Sequence, residues 1–206
     1  MKIHHVEVAP IGTNCYVGVN EKNNEAVVVD PGGSPELIIG LLKQLNVKVK
    51  AIFLTHGHMD HIGALKDIKE YTGAKVYVSK EDAPMLKNPQ SSLAAFFGTN
   101  LVCPEPDQFY GQGDEITEAG LKFKILATPG HTPGGVCIQC DDVVFCGDTV
   151  FCESVGRTDF PGGSYSQILK SIKEKILVLD DKTQLLPGHG PSTTVDWEKR
   201  RNPFLQ

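Results

Sequence analysis

The chain lacks the features that would take it out of the ordinary globular class. Its 206 residues include one tryptophan, and aromatics make up only 7%. No apolar run approaches the roughly 20 residues a bilayer-spanning helix needs, the longest being stretches such as Ala26 to Val29, so no membrane partner is expected. Positive charge is also short, with 20 basic residues against 25 acidic ones and a formal net charge of -5. A field of that sign does not draw in a phosphate backbone or an anionic bilayer, and nucleic acid is not expected as a partner. The opening Met1-Lys2-Ile3-His4-His5-Val6-Glu7 has neither the apolar stretch nor the small-residue cleavage site of an export signal, so a cytosolic location is expected. The six cysteines (Cys15, Cys103, Cys137, Cys140, Cys146, Cys152) sit mostly inside apolar runs, which in a reducing compartment suits buried thiols over bridges.

What is present reads as one compact α/β domain, since this length with 40% apolar residues supports a sizeable core. Strands are expected at Ile3 to Val8, Cys15 to Val19 and Ala26 to Val29, forming an antiparallel meander through the polar turn Asn20 to Asn24. Ser34 is expected to cap a helix with Leu37, Ile38, Leu41, Leu42 and Leu45 at 3.6-residue spacing. A buried strand follows at Val49 to Leu54, then a helix from Ile62 to Tyr71 closed by Gly73, and a strand at Lys75 to Val78. The stretch from Glu81 to Phe97 reads as irregular helix. Further strands are expected at Leu121 to Ala127, at Gly135 to Cys140 and Val143 to Cys146 joined by the tight turn Asp141-Asp142, and last at Thr183 to Leu186. Helices are expected over Ile168 to Val178 and, stopping near Pro203, in the tail from Asp196.

The chemistry concentrates in Thr55-His56-Gly57-His58-Met59-Asp60-His61, directly after a buried strand. Residues two apart on an extended chain point to one side, so His56 and His58 can chelate one ion, with Asp60 and His61 following as the chain turns. Imidazole nitrogen with carboxylate oxygen suits zinc, manganese or iron rather than calcium. Three more segments place a donor just past a strand: His131 in Pro129 to Gly134, Asp148 in Phe145 to Thr149, and His189 in Leu186 to Gly190. Glycine and proline bracket each donor and permit tight, stiff loops. A carboxylate after an apolar run, as at Asp148, is costly to bury unless a cation neutralises it. Seven donors exceed the three or four one tetrahedral ion uses, so two ions are the economical inference. His4 and His5 stand apart from these loops.

The series His56-x-His58-x-Asp60-His61, then His131, Asp148 and His189 in order, resembles the metallo-β-lactamase superfamily over nearly the whole chain. Within it, Gly130-His131-Thr132-Pro133-Gly134, Gly147-Asp148-Thr149-Val150-Phe151 and Leu186-Pro187-Gly188-His189-Gly190 are similar to the glyoxalase II group, the hydroxyacylglutathione hydrolases. The resemblance implies a four-layer αββα sandwich with the site at one edge between two sheets. It further implies two divalent cations, zinc first and iron or manganese as alternatives: His56, His58 and His131 on one, Asp60, His61 and His189 on the other, Asp148 bridging. Asp60 and Asp148 then carry catalytic roles as well as ligation. Arg157 resembles the basic position by which the group holds glutathione, the alternative being a structural arginine bonding loop carbonyls. The chain ends about 17 residues after His189, so one domain over 1–206 is expected, without the group's separate C-terminal helical glutathione-binding segment.

A hydroxide shared between two cations has its pKa lowered from about 15.7 towards 7, so attack on a carbonyl needs no serine or cysteine. A thiolate of pKa around 8.5 leaves without prior protonation whereas an amide nitrogen needs a proton, which makes thioesters the easier substrates. The expected activity is therefore hydrolysis of a small-molecule thioester such as S-lactoylglutathione. The alternatives are a lactone or other ester hydrolase, and a persulfide dioxygenase using a single iron. A flavodiiron-like role is disfavoured because those relatives carry glutamate where this chain has His58, and a β-lactamase role is weakened by the cytosolic reading. Cys137-Ile138-Gln139-Cys140 reads as structural, because the two thiols of a CxxC on a strand face opposite ways. Tyr71, Tyr77, Tyr110, Phe96 and Phe97 are expected in the core or a pocket wall.

Overall fold

The computed structural model describes residues 1–206. Two six-stranded sheets form its centre. In the first, β1 (Lys2–Val8), β2 (Thr13–Asn20) and β3 (Glu25–Val29) run as an antiparallel meander, and β4 (Lys48–Phe53), β5 (Lys75–Ser79) and β6 (Gln108–Tyr110) extend it in parallel. In the second, β7 (Glu115–Glu118), β8 (Leu121–Ala127), β9 (Val136–Cys140) and β10 (Val143–Gly147) are antiparallel neighbours. A short hairpin of β11 (Val150–Phe151) and β12 (Ser154–Val155) follows, then β13 (Gln184–Pro187) lies parallel to β10 and β14 (Thr193–Thr194) closes the edge. The helices are α1 (Pro35–Leu45), α2 (Met59–Ile62), α3 (Leu65–Thr72), α4 (Tyr165–Ser171, continued by a π turn to Ile176) and α5 (Val195–Arg201).

The period-two alternation of each strand divides the core into three layers of contact. Between the sheets lie Val27, Val29, Phe53 and Tyr77 from the first and Phe123, Ile125, Ile138 and Phe145 from the second. The opposite face of the first sheet, including Ala26 and Val28, packs on Ile38 and Leu42 of α1 and Leu65 and Ile68 of α3. The far face of the second sheet packs Leu126, Cys137 and Val144 on Ile168, Ile172 and Ile176 and on Val195 of α5. Three apolar clusters across two sheets make an αββα sandwich, as the family resemblance implied. No helix is long and apolar enough to cross a membrane. The inter-sheet layer is closely fitted, with Phe53 4.9 Å from Phe123 and Tyr16 5.5 Å from Phe145 between ring centroids. Truncating such a ring costs about 3–5 kcal/mol.

Cys137 and Cys140 fall in different clusters, on opposite faces of β9, and all six cysteines are free thiols. Several local expectations differ from the fold. Ser34 does not cap α1: it is left-handed at φ 46°, and its Oγ accepts from the Ala9 amide at 3.1 Å. The Ile62 to Tyr71 helix is broken, because the Ala64 amide donates to Pro31 at 2.9 Å and a side chain at Gly63 would meet the Gly32 carbonyl. Glu81 to Phe97 holds two short 3-10 turns, Ala83–Lys87 and Ala94–Phe97, since Pro84 and Pro89 remove amide donors. Thr183 to Leu186 is not the last strand, as β14 follows it. Tyr77 and Tyr110 are buried, whereas Tyr71 and Phe96 are exposed and belong neither to the core nor to a pocket wall.

Candidate metal centre

Within each sheet the strands that run in parallel end at one edge, and there their following loops converge. Asp30 follows β3, Thr55 to His61 follow β4, Asp82 follows β5, Thr128 to His131 follow β8, Asp148 follows β10 and His189 follows β13. Hydrogen bonds tie the two sheets at this edge. The Val136 amide donates to the Thr55 carbonyl at 2.9 Å and the Asn14 amide to Gly188 at 2.7 Å. The His189 loop is held from beneath by the Tyr16 hydroxyl and the Asn14 amide group, both donating to the Pro187 carbonyl at 2.8 and 3.1 Å.

All seven donors read from the sequence meet in this edge. They form three overlapping triads, His56–His58–His131, His56–His61–Asp148 and Asp60–His61–His189, in each of which the donor atoms lie within 4.8 Å of one another. The imidazoles are aimed by bonds on their outer sides. His131 Nδ1 donates to the Arg157 carbonyl at 2.7 Å and His61 Nδ1 faces Asp30 at 2.9 Å, so both present Nε2 inward. His56 Nδ1 faces the Thr55 hydroxyl at 3.2 Å. His58 Nδ1 lies 2.9 Å from His131 Nε2, and His189 Nε2 lies 3.1 Å from Asp60 Oδ2, which also accepts from Thr13. Asp148 sits between the groups, Oδ1 3.2 Å from His61 and Oδ2 3.5 Å from His131 and 3.7 Å from His189.

The electrostatics differ across the centre. Burial holds His56 well below its usual range, and burial together with His131 brings His58 down to about 3, so both imidazoles are neutral. His61 and His189 are raised: burial opposes their protonation, but Asp60, Asp148 and Asp30 outweigh it at His61, and the Asp60 hydrogen bond outweighs it at His189. Asp60 and Asp148 are lowered, the neighbouring imidazoles, His61 foremost, overcoming burial.

The residues fit a pair of divalent cations. His56 Nε2, His61 Nε2 and Asp148 Oδ1 are buried without a hydrogen-bond partner, and all three point into the same small volume. Each such atom costs about 1–3 kcal/mol unmatched. A nitrogen and oxygen donor set with no thiolate matches zinc, iron or manganese. The space is also kept clear: a Cβ on Gly188 would lie 2.4 Å from Asp148 Oδ1 and 2.6 Å from His61 Cε1.

Two further carboxylates support this geometry and were not picked out from the sequence. Asp30 accepts from the Thr55 amide at 2.7 Å and hydroxyl at 2.6 Å besides facing His61. Asp82 accepts from Gly57 N at 3.2 Å, Gly134 N at 2.7 Å and Thr132 Oγ1 at 2.7 Å, joining the His56–His58 loop to the His131 loop. Asp30 carried the same signal as Asp148, a carboxylate directly after an apolar strand. Asp82 carried none, because its partners lie 25 and up to 52 residues away.

The centre opens into a cavity of about 380 Å³ whose wall includes Phe97, Phe151, Phe160 and Arg157. Arg157 neither bonds loop carbonyls with its guanidinium nor stands free. Its Nε and Nη2 donate to Asp159 at 2.7 and 2.6 Å, and the group stacks 3.9 Å over Phe160. A larger cleft of about 740 Å³ lies along β1 and includes His5, but it contains no cluster of donors.

The family model described as the metallo-beta-lactamase superfamily matches residues 8–189. The chain belongs to that superfamily. It is 38% identical to hydroxyacylglutathione hydrolase GloC of Haemophilus influenzae, covering 100% of this chain and 98% of that protein. Among solved structures, BLEG-1 B3 metallo-beta-lactamase superposes with a TM-score of 0.96 at 36% identity, each chain covered completely. TTHA1623 in a di-iron-bound form gives 0.85 at 33% identity, over 98% of this chain and 100% of that one. The superfamily and the histidine and aspartate cluster together define a metallo-hydrolase of small molecules.

Proposed function

We propose that the chain is a dinuclear thioester hydrolase of the hydroxyacylglutathione hydrolase type. His56, His58 and His131 hold one cation, Asp60, His61 and His189 the other, and Asp148 spans the two. The observation that carries this reading is the convergence of three unpartnered buried atoms, His56 Nε2, His61 Nε2 and Asp148 Oδ1, from two loops on different sheets. When bound, the two cations supply Lewis acidity, ionising water near neutral pH and polarising the substrate carbonyl. The chain's own residues then have defined tasks. Asp30 and the Arg157 carbonyl fix the tautomers of His61 and His131, and the Thr13 hydroxyl holds Asp60 in place.

The leaving group follows from the wall. Outside the centre it offers no carboxylic acid or imidazole that could protonate a departing amine, so the cavity suits a thiolate, which needs none. The GloC likeness supports a glutathione thioester, and the exposed Arg157 stands where a substrate carboxylate could exchange with Asp159. The free thiols are consistent with work in a reducing cytosol, and residues 1–206 are read as one catalytic domain.

The BLEG-1 likeness favours one second reading, β-lactam hydrolysis. Metal analysis of the purified protein with parallel assays on S-lactoylglutathione, lactones and β-lactams tests all of these. The expected outcome is two metal equivalents and turnover of the thioester. One iron with oxygen consumption would establish the persulfide dioxygenase instead, and β-lactam turnover alone would establish the second reading.

A further inference from the structure

The cavity wall is uneven in polarity. Beyond the donors it carries six apolar side chains and only two polar ones, Ser154 and Arg157. The charged group stands on the His58–His131 side: the Arg157 carbonyl accepts from His131, and Phe160, beneath its guanidinium, lies 5.7 Å from the His58 ring. The Asp60–His189 side has no charged wall residue. Ile11 lies two residues before Thr13, whose hydroxyl donates to Asp60. Leu93 follows Ser92, whose carbonyl accepts from the Met59 amide at 2.8 Å, and the Phe151 ring lies 6.1 Å from His189. Ile11 on this side and Phe97, also in the cavity wall, remain 50% and 47% exposed, so the wall presents apolar area that nothing in the chain covers.

We propose that Ile11, Leu93, Phe97 and Phe151 form the seat of an apolar acyl group, so that the preferred substrates are thioesters of medium-chain acids, with the thiol half directed towards Arg157. This rests on the thioester reading above and specifies its acyl half. A short hydroxyacyl group leaves the wall wet and finds no polar partner on it, whereas each methylene laid against it is removed from water.

The test is a series of glutathione thioesters, lactoyl, acetyl, butanoyl and hexanoyl, run beside 4-nitrophenyl esters of the same acids on the metal-loaded enzyme. kcat/KM is expected to rise about fourfold per added methylene, from about 0.8 kcal/mol for each buried CH₂. Phe97→Ala and Ile11→Ala, both at half-exposed positions that tolerate truncation, are expected to flatten that slope. A flat or falling series, a lactoyl optimum, or an unchanged slope in both variants overturns the acyl seat while leaving the thioester reading intact. Esters cleaved with the expected slope and thioesters untouched would keep the seat and overturn the thioester reading. Cleavage of neither series overturns both.

Discussion

The two halves of the centre are built by different means. On the His56–His58–His131 side His56 and His58 are held neutral, and the nearby carboxylate, Asp82, touches none of the three imidazoles: it binds Gly57, Gly134 and Thr132 and so fixes the loops that carry them. On the Asp60–His61–His189 side carboxylates mix with imidazoles of raised basicity, and Asp30 grips the His61 ring itself. The first half is therefore organised largely through the loops that carry it, with His56 and His58 ready for a cation without proton loss. The second half holds protons that a cation must displace, and its alignment runs through side-chain bonds, Asp30 to His61 and Thr13 to Asp60.

The strongest test of that contrast removes the residue common to both. Asp148→Ala is expected to abolish turnover and lower metal content in both halves, measured by steady-state assay and elemental analysis; a fully metallated, active variant would contradict the spanning role. Asp30→Ala should weaken the His61 half more than the other, which Asp30 reaches only through Thr55. Loss of the outer partner of a ligating histidine costs about 10–100-fold in metal affinity, so a metal titration is expected to keep one tight step and weaken the other by that factor. Equal weakening of both steps would mean that Asp30 acts on the fold as a whole.

The pH dependence sharpens the same comparison with a smaller effect. A group with a raised pKa keeps its proton until pH exceeds that value, so below it each proton displaced from His61 or His189 makes affinity fall about tenfold per pH unit. His56 and His58, both lowered, are uncharged at neutral pH and add no such slope to their step. Calorimetry in buffers of different ionisation enthalpy should register proton release for one step only, and two steps with the same proton count would erase the distinction.

The smallest effect concerns the wall beside His189. The fully buried Glu198 of α5 accepts from the Glu153 amide at 3.0 Å, Thr193 Oγ1 at 2.6 Å and Asn202 Nδ2 at 2.7 Å, while Asn202 also donates to the Ser154 carbonyl. This clamps the β11–β12 hairpin that carries Phe151. Glu198→Ala strands those donors and is expected to cost about 1–3 kcal/mol, a lowering of Tm by roughly 2–4 °C per kcal/mol. Glu198→Gln can keep all three bonds with the Thr193 hydroxyl reversed, and should recover most of the loss; equal loss in both variants would show that charge, not the bonding pattern, matters there.

Much of this was legible locally. Nine strands followed from short β-branched runs, while β6, β7, β11, β12 and β14 were too short or too polar to be read, and the seven donors followed from their density and from glycine and proline around each. What escaped depended on distant partners. Ser34 reads as a cap until β1 offers it the Ala9 amide, and the helix after Ile62 reads as continuous until Pro31 takes the Ala64 amide. Arg157 reads as a glutathione contact or a partner of loop carbonyls until Asp159 is seen closing on its fork. Asp82 carries no signal in the sequence until three donors from two loops surround it.

By itself the sequence determined the donor chemistry and which residues share a face of a strand, because side-chain identity and a two-residue period are properties of neighbours along the chain, whereas the layer order came from the family resemblance. Only the tertiary structure decided which nitrogen each imidazole turns inward and which carboxylate steadies which half. Those choices depend on contacts such as that between Asp60 and His189, 129 residues apart, and no local pattern encodes a distance across two packed sheets.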